Sequence, residues 1–134
     1  MEASRPLTLR KEERMTSRKL MEKLFNGGGS RAMTSFPVRM VYMIVERESE
    51  HDPQAQVMVS VSKRHFKRAV KRNRVKRQLR EAYRKNKYTV LDRMAAHPDR
   101  MAAFALIWLD DELHDTADVE AHVRSLLVRL SEKL

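Results

Sequence analysis

Apolar residues along this chain alternate between two periods. Leu20, Met21, Leu24 and Phe25 recur at i, i+1, i+4 and i+5, one face of a helix that Ser17 is placed to cap. Gly27-Gly28-Gly29 ends it, because glycine readily takes the left-handed conformation that follows a helix. From Phe36 to Val45 the residues are largely β-branched or aromatic with no helical stripe, which predicts a strand; a short extra strand is expected near 30–34. The polar stretch from Glu46 to Gln56 contains Pro53 and reads as a hairpin loop. Val57, Val59 and Val61 alternate with Met58, Ser60 and Ser62, the mark of a half-buried strand. Val75, Leu79, Ala82 and Tyr83 restore the helical period. After a linker ending in His97-Pro98-Asp99, Met101 to Leu109 is apolar at both parities, as in a strand buried on both faces. Asp110 to Asp115 is an acidic loop. Asp115 or Thr116 can cap a last helix striped by Val119, Val123, Leu126, Leu127, Leu130 and Leu134.

The predicted order is α, β, β (with the extra β), α, β, α. One small sheet with helices packed mainly on it is a two-layer α/β domain. Residues 1–15 carry no stripe and are expected to form a flexible N-terminal arm, leaving 16–134 as a single domain. A chain of 134 residues suits one domain, and 42% hydrophobic content supports a folded core. Cysteine is absent, which removes structural disulfides, Cys-ligated zinc and thiol catalysis. The longest apolar run is far short of the ~20 residues of a membrane span. No apolar stretch of signal-peptide length opens the chain. The expectation is a cytoplasmic protein without a membrane partner.

Charge sharpens the picture. Between Lys63 and Lys87 stand thirteen bases and one acid, Glu81, a net +12 against +10 for the whole chain; the remainder sums to −2. So local a concentration points to a polyanionic partner. At 100° per residue Asn73, Arg77, Arg80 and Arg84 fall opposite the apolar stripe, Arg74 flanks them, and Lys76 lies at the border. This helix therefore has one face for a core and one for an anion. Arginine suits the role, because its planar fork pairs with phosphate bidentately and stacks on bases. Asp110, Asp111, Glu112, Asp115 and Asp118 could instead supply carboxylates to a two-metal nuclease, but a solvated loop at a helix N-terminus explains them as well. His51, His65, His97, His114 and His122 show no metal-ligand spacing, and the glycine run lacks the Lys-Ser/Thr of a phosphate-binding loop.

Ser60-Val-Ser-Lys63, Ala69-Val70, Arg72-Asn-Arg-Val-Lys-Arg77 and Arg80-Glu-Ala-Tyr-Arg84, with Leu9-Arg-Lys11, Lys19 to Phe25 and Tyr42 at fitting distances, resemble the protein subunit of bacterial ribonuclease P over nearly the whole chain. The resemblance implies a mixed sheet with a left-handed βαβ crossover, an exception to a strong handedness rule. It implies a subunit that binds the catalytic RNA and the 5′ leader of precursor tRNA and assists endonucleolytic 5′ maturation. No catalytic residue is then expected in the protein. Mg²⁺ would be bound through the RNA, with no cofactor held by the protein alone and no DNA partner. Residues carried over to RNA binding are Arg72, Asn73, Arg74, Lys76, Arg77, Arg80 and Arg84, with Lys63, Arg64, Lys67 and Arg68 of the same basic run. Phe25 and Tyr42 match aromatics of the leader cleft, and Met21 stands where the family often has phenylalanine. The resemblance places Phe25 and Tyr42 on one concave surface. Two rival readings are a ribosomal or general RNA-binding protein and a protein-only nuclease using the acidic cluster.

Overall fold

The computed structural model describes residues 5–134. Its helices are α1 (Arg18–Asn26), α2 (Ala69–Asn86), α3 (Tyr88–Met94) and α4 (Thr116–Ser131), and its strands are β1 (Arg31–Ser35), β2 (Val38–Glu46), β3 (Ala55–Ser60) and β4 (Arg100–Trp108). The strands form one sheet in the order β1-β2-β4-β3. β1 and β4 run antiparallel to β2, and β3 runs parallel to β4. The parallel pair is joined through α2 and α3, so the βαβ unit is present.

Three local expectations hold. The Ser17 hydroxyl accepts from the Leu20 N–H, the Asp115 carboxylate accepts from the Asp118 N–H, and Gly28 takes φ +80°. β1 is the short extra strand. It turns into β2 through Phe36-Pro37, so β2 begins at Val38 rather than Phe36.

Three expectations are corrected. Residues 46–56 do not form a hairpin loop, because β4 lies between β2 and β3. β4 is apolar at both parities and belongs in the middle, where both faces and both edges are covered. Residues 88–94 of the linker form α3. At seven residues it is too short to show a stripe, and only Val90 and Met94, at i and i+4, are buried. Residues 9–15 pack on the domain rather than hanging from it; residues 1–4 lie outside the described residues. The Met15 N–H donates to the Val57 carbonyl at 2.9 Å and covers part of the β3 edge. Lys87, 6% exposed in its side chain, pairs with Glu13 at 2.9 Å and donates to the Thr8 carbonyl at 2.5 Å.

The sheet has two unequal faces. Val38, Met40, Tyr42, Val57, Phe104, Leu106 and Trp108 point to one side and pack with Val75, Leu79 and Tyr83 of α2, Val90 and Met94 of α3, and the α4 stripe. Val41, Met43, Met101, Ala103 and Ala105 point to the other side. There they meet Leu24 of α1 and Met15, with Leu20, Met21, Met58 and Ile107 partly covered. Only one short helix shields this second face, which leaves clefts beside it.

Candidate nucleic-acid interface

α2 buries Val75, Gln78, Leu79, Ala82 and Tyr83, and Tyr83 meets Phe104 edge-on at 5.4 Å between ring centroids. Burial pushes the Tyr83 phenol well above its ordinary pKa, with Glu13 adding to the effect. The outer side of α2 carries the bases. Those on α2 and the segment before it whose side chains make no hydrogen bond or ion pair among the described residues are Lys63, Arg64, Lys67, Arg68, Lys71, Arg74, Lys76, Arg77 and Arg80, and the Asn73 side chain is likewise free.

Two expected RNA contacts are committed elsewhere. Arg72 donates through Nη1 to the carbonyls of Phe66 and Lys67, both at 2.8 Å, and so braces the entry to α2. Arg84 holds Glu81 through Nε at 3.0 Å and Nη2 at 2.7 Å, and reaches the Leu7 carbonyl at 2.8 Å. That pairing lowers the Glu81 carboxyl and raises the Arg84 guanidinium from their ordinary values.

Nothing in the periodicity singles out Arg14. Packing of residues 14–15 against Val57 brings it beside Arg80. Burial, and then the charge of Arg14, lower the Arg80 pKa from its ordinary value. Two like charges held together, neither ion-paired among the described residues, carry a repulsion that an anion relieves. Both line a basin of about 520 Å³ with Arg77, Arg84, the Glu81 that Arg84 holds, and residues 7–9. They also line an adjoining cleft of about 220 Å³ floored by Met15, Met21, Val57, Met58 and Val59. Cations over an apolar floor match a single-stranded nucleic acid, which presents phosphates and base faces together.

Met21 lies in that cleft, whereas Phe25 and Tyr42 are not brought together. Phe25, 44% exposed, ends α1 on the second face of the sheet. Tyr42, 6% exposed, points to the other face with Val38 and Met40. The shared concave surface is therefore corrected. FPVRMVYMIV is apolar at both parities, so its pattern could not tell which face Tyr42 takes.

The acidic loop is tied down by histidines. His114 lies between Asp110 (Nε2, 2.7 Å) and Asp118 (Nδ1, 2.5 Å), and His65 meets Asp111 at 2.7 Å. The Asp110 bond leads the causes that raise His114, and His114 lowers Asp110. Among the described residues no group of His, Cys, Asp and Glu is arranged to hold a metal ion. No described helix is long and apolar enough to cross a membrane.

A small α/β sheet with an arginine-rich helix beside an apolar-floored cleft fits the class of nucleic-acid-binding proteins. The ribonuclease P family model matches residues 9–130. The ribonuclease P protein component of Porphyromonas gingivalis, in each of two strains, is 39% identical over 124 residues, 92% of this chain and 86% of that protein. The ribonuclease P protein of Thermotoga maritima shares the fold, with a TM-score of 0.65 at 18% identity over 87% of this chain and 96% of that one. So does a Staphylococcus aureus ribonuclease P protein, a mutant with defective mRNA degradation activity, with a TM-score of 0.65 at 15% identity over 91% and 90%. This chain belongs to the ribonuclease P protein family. It is the accessory protein subunit of the endoribonuclease that matures the 5′ end of tRNA, with the ribonuclease P RNA as its partner and tRNA as substrate.

Proposed function

We propose that the free cations of α2 and the segment before it dock the catalytic RNA, while the cleft between α1, β3 and α2 grips the 5′ leader of precursor tRNA. The observation that carries this reading is the Arg14–Arg80 pair, which makes no ion pair with an acid among the described residues, over a floor of Met15, Met21 and Met58. Leader phosphates sit on the arginines and leader bases on the methionine side chains, which are polarizable and adapt to any base. Such contacts tolerate sequence change, which suits a leader that varies between precursors. Asn73, with amide donors and an acceptor, either bonds the RNA or orients a neighbouring arginine. In this reading Tyr42 belongs to the core, and Phe25 borders the leader path at the end of α1.

Residues 9–15 act with 16–134 as one RNA-binding unit, and its place of work is the cytoplasm. Mg²⁺ belongs to the RNA partner, where it activates water on the scissile phosphodiester. The acidic loop does not fit it, since Asp110 and Asp118 are engaged by His114.

The test is a pair of titrations on the reconstituted ribonucleoprotein, with a leader-bearing precursor and with mature tRNA. Arg14→Ala and Arg80→Ala are each expected to weaken precursor binding about tenfold, as for one charged hydrogen bond. Mature tRNA binding should hardly change. Equal weakening toward both RNAs would sink the leader assignment.

A further inference from the structure

The other flank of α2 carries a second groove. It lies between the N-terminal half of that helix and the loop leading into α4, encloses about 620 Å³, and is lined by Val70, Leu113, Lys71, Arg74, Arg77 and Gln78. Arg77 also borders the arginine basin on the first flank, as does Glu81 at the shared rim. The composition is unusual for a surface that meets phosphate alone. Val70, 79% exposed, and half-buried Leu113 form an apolar floor, and Lys71, Arg74 and Arg77 stand over it without partners among the described residues. The acid at its rim, Glu81, is neutralised by Arg84 and does not oppose an anion.

Gln78 supplies a further, independent observation. It is 7% exposed, and its Nε2 donates to the His114 carbonyl at 3.1 Å and to Thr116 Oγ1 at 3.2 Å, which fixes the loop against the helix. Its Oε1 is buried with no hydrogen-bond partner. An orphaned acceptor of this kind is costly until a donor reaches it. A phosphate brings no donor. A nucleobase does, through an amino group or ring N–H, and it also brings an apolar face and an attached phosphate.

We propose that this groove receives one unpaired nucleotide of the ribonuclease P RNA. Its base rests on Val70 and Leu113 and, as the side chains covering Gln78 part, donates to Gln78 Oε1, while its phosphates meet Lys71 and Arg74. The proposal rests on the assignment of α2 to the RNA interface and adds a base-holding subsite to it.

The experiment measures affinity of the full-length protein for the ribonuclease P RNA, and the methyl spectrum of the free protein titrated with hexaadenylate or with pyrophosphate. Val70→Ser, a change at an exposed position, is expected to weaken RNA binding about fivefold, the low end of one stacking contact. Hexaadenylate should move the Val70 and Leu113 methyl resonances upfield by ring current, and pyrophosphate should not. Methyls unmoved by hexaadenylate, or wild-type affinity in Val70→Ser, would overturn the subsite. Arg74→Ala separates the two levels. If it weakens binding while Val70→Ser does not, only the subsite fails; if neither does, the α2 interface fails as well.

Discussion

Single side chains in this molecule divide by what they are already bonded to. Arg77 and Arg80 keep their forks free, whereas Arg72 and Arg84, two residues of the same basic run, spend theirs on backbone carbonyls and Glu81. The same logic separates the aromatics. Tyr42→Ala should cost roughly 3–5 kcal/mol of stability, as for a large buried aromatic, and leave the preference for precursor over mature tRNA intact. A stable Tyr42→Ala protein that no longer tells the two RNAs apart would return Tyr42 to the leader cleft. His114 makes a pH-dependent contribution. Both its nitrogens face carboxylates, which requires both to donate and so favours the imidazolium. Because its folded pKa is raised, its contribution is complete below about pH 6.5 and fades as pH rises through the folded value. Asp110 is shifted down, so its share is present above about pH 4 and lost as pH falls further. Urea melts of wild type and His114→Gln should therefore differ most at about pH 5–6 and converge as pH rises through the folded value. A difference that stays flat over that range would show that the clasp holds no extra proton.

At the scale of elements, the segment before α1 is what builds the proposed leader cleft. The buried Lys87–Glu13 pair anchors the turn at Lys11–Glu13, and Arg14 follows it directly. Lys87→Met leaves Glu13 without its cation and should cost roughly 3–5 kcal/mol by thermal or urea melting. It should also weaken precursor binding, because Arg14 loses its support. A loss of stability with full precursor affinity would detach the anchor from the site. None of this was legible in the sequence. LTLRKEERM has no period, and Lys87 looks like one more member of a solvent-facing basic run, although it is buried and paired within the chain. What could be read was whatever periodicity controls: the α2 and α4 stripes, both side-chain caps, the strand character of β4 and the free face of α2. What could not be read depends on long-range pairing. The insertion of β4 between β2 and β3 decides which face Tyr42 takes, and two strands apolar at both parities contain no trace of it. α3 was hidden for a different reason, being under two turns long.

The whole molecule joins two surfaces through one helix. α2 packs its apolar stripe on the sheet and α4, and it offers cations on both remaining flanks, one toward the Arg14–Arg80 cleft and one toward the groove at Leu113. Net charge is gathered in this region, so association with RNA should be driven largely by counterion release and fall steeply with added salt. In the proposed division of labour the chain supplies counter-charge and leader contacts to a reaction whose active site is in the RNA. The most direct measurement of that division is cleavage of a precursor tRNA at low Mg²⁺ by the protein alone, by the ribonuclease P RNA alone and by the two together. The expected result is no cleavage by the protein, little by the RNA, and efficient 5′ maturation by the mixture, with the gain reduced when Arg14 and Arg80 are replaced by alanine. Cleavage by the protein without RNA, or a mixture no faster than the RNA alone, would contradict the account.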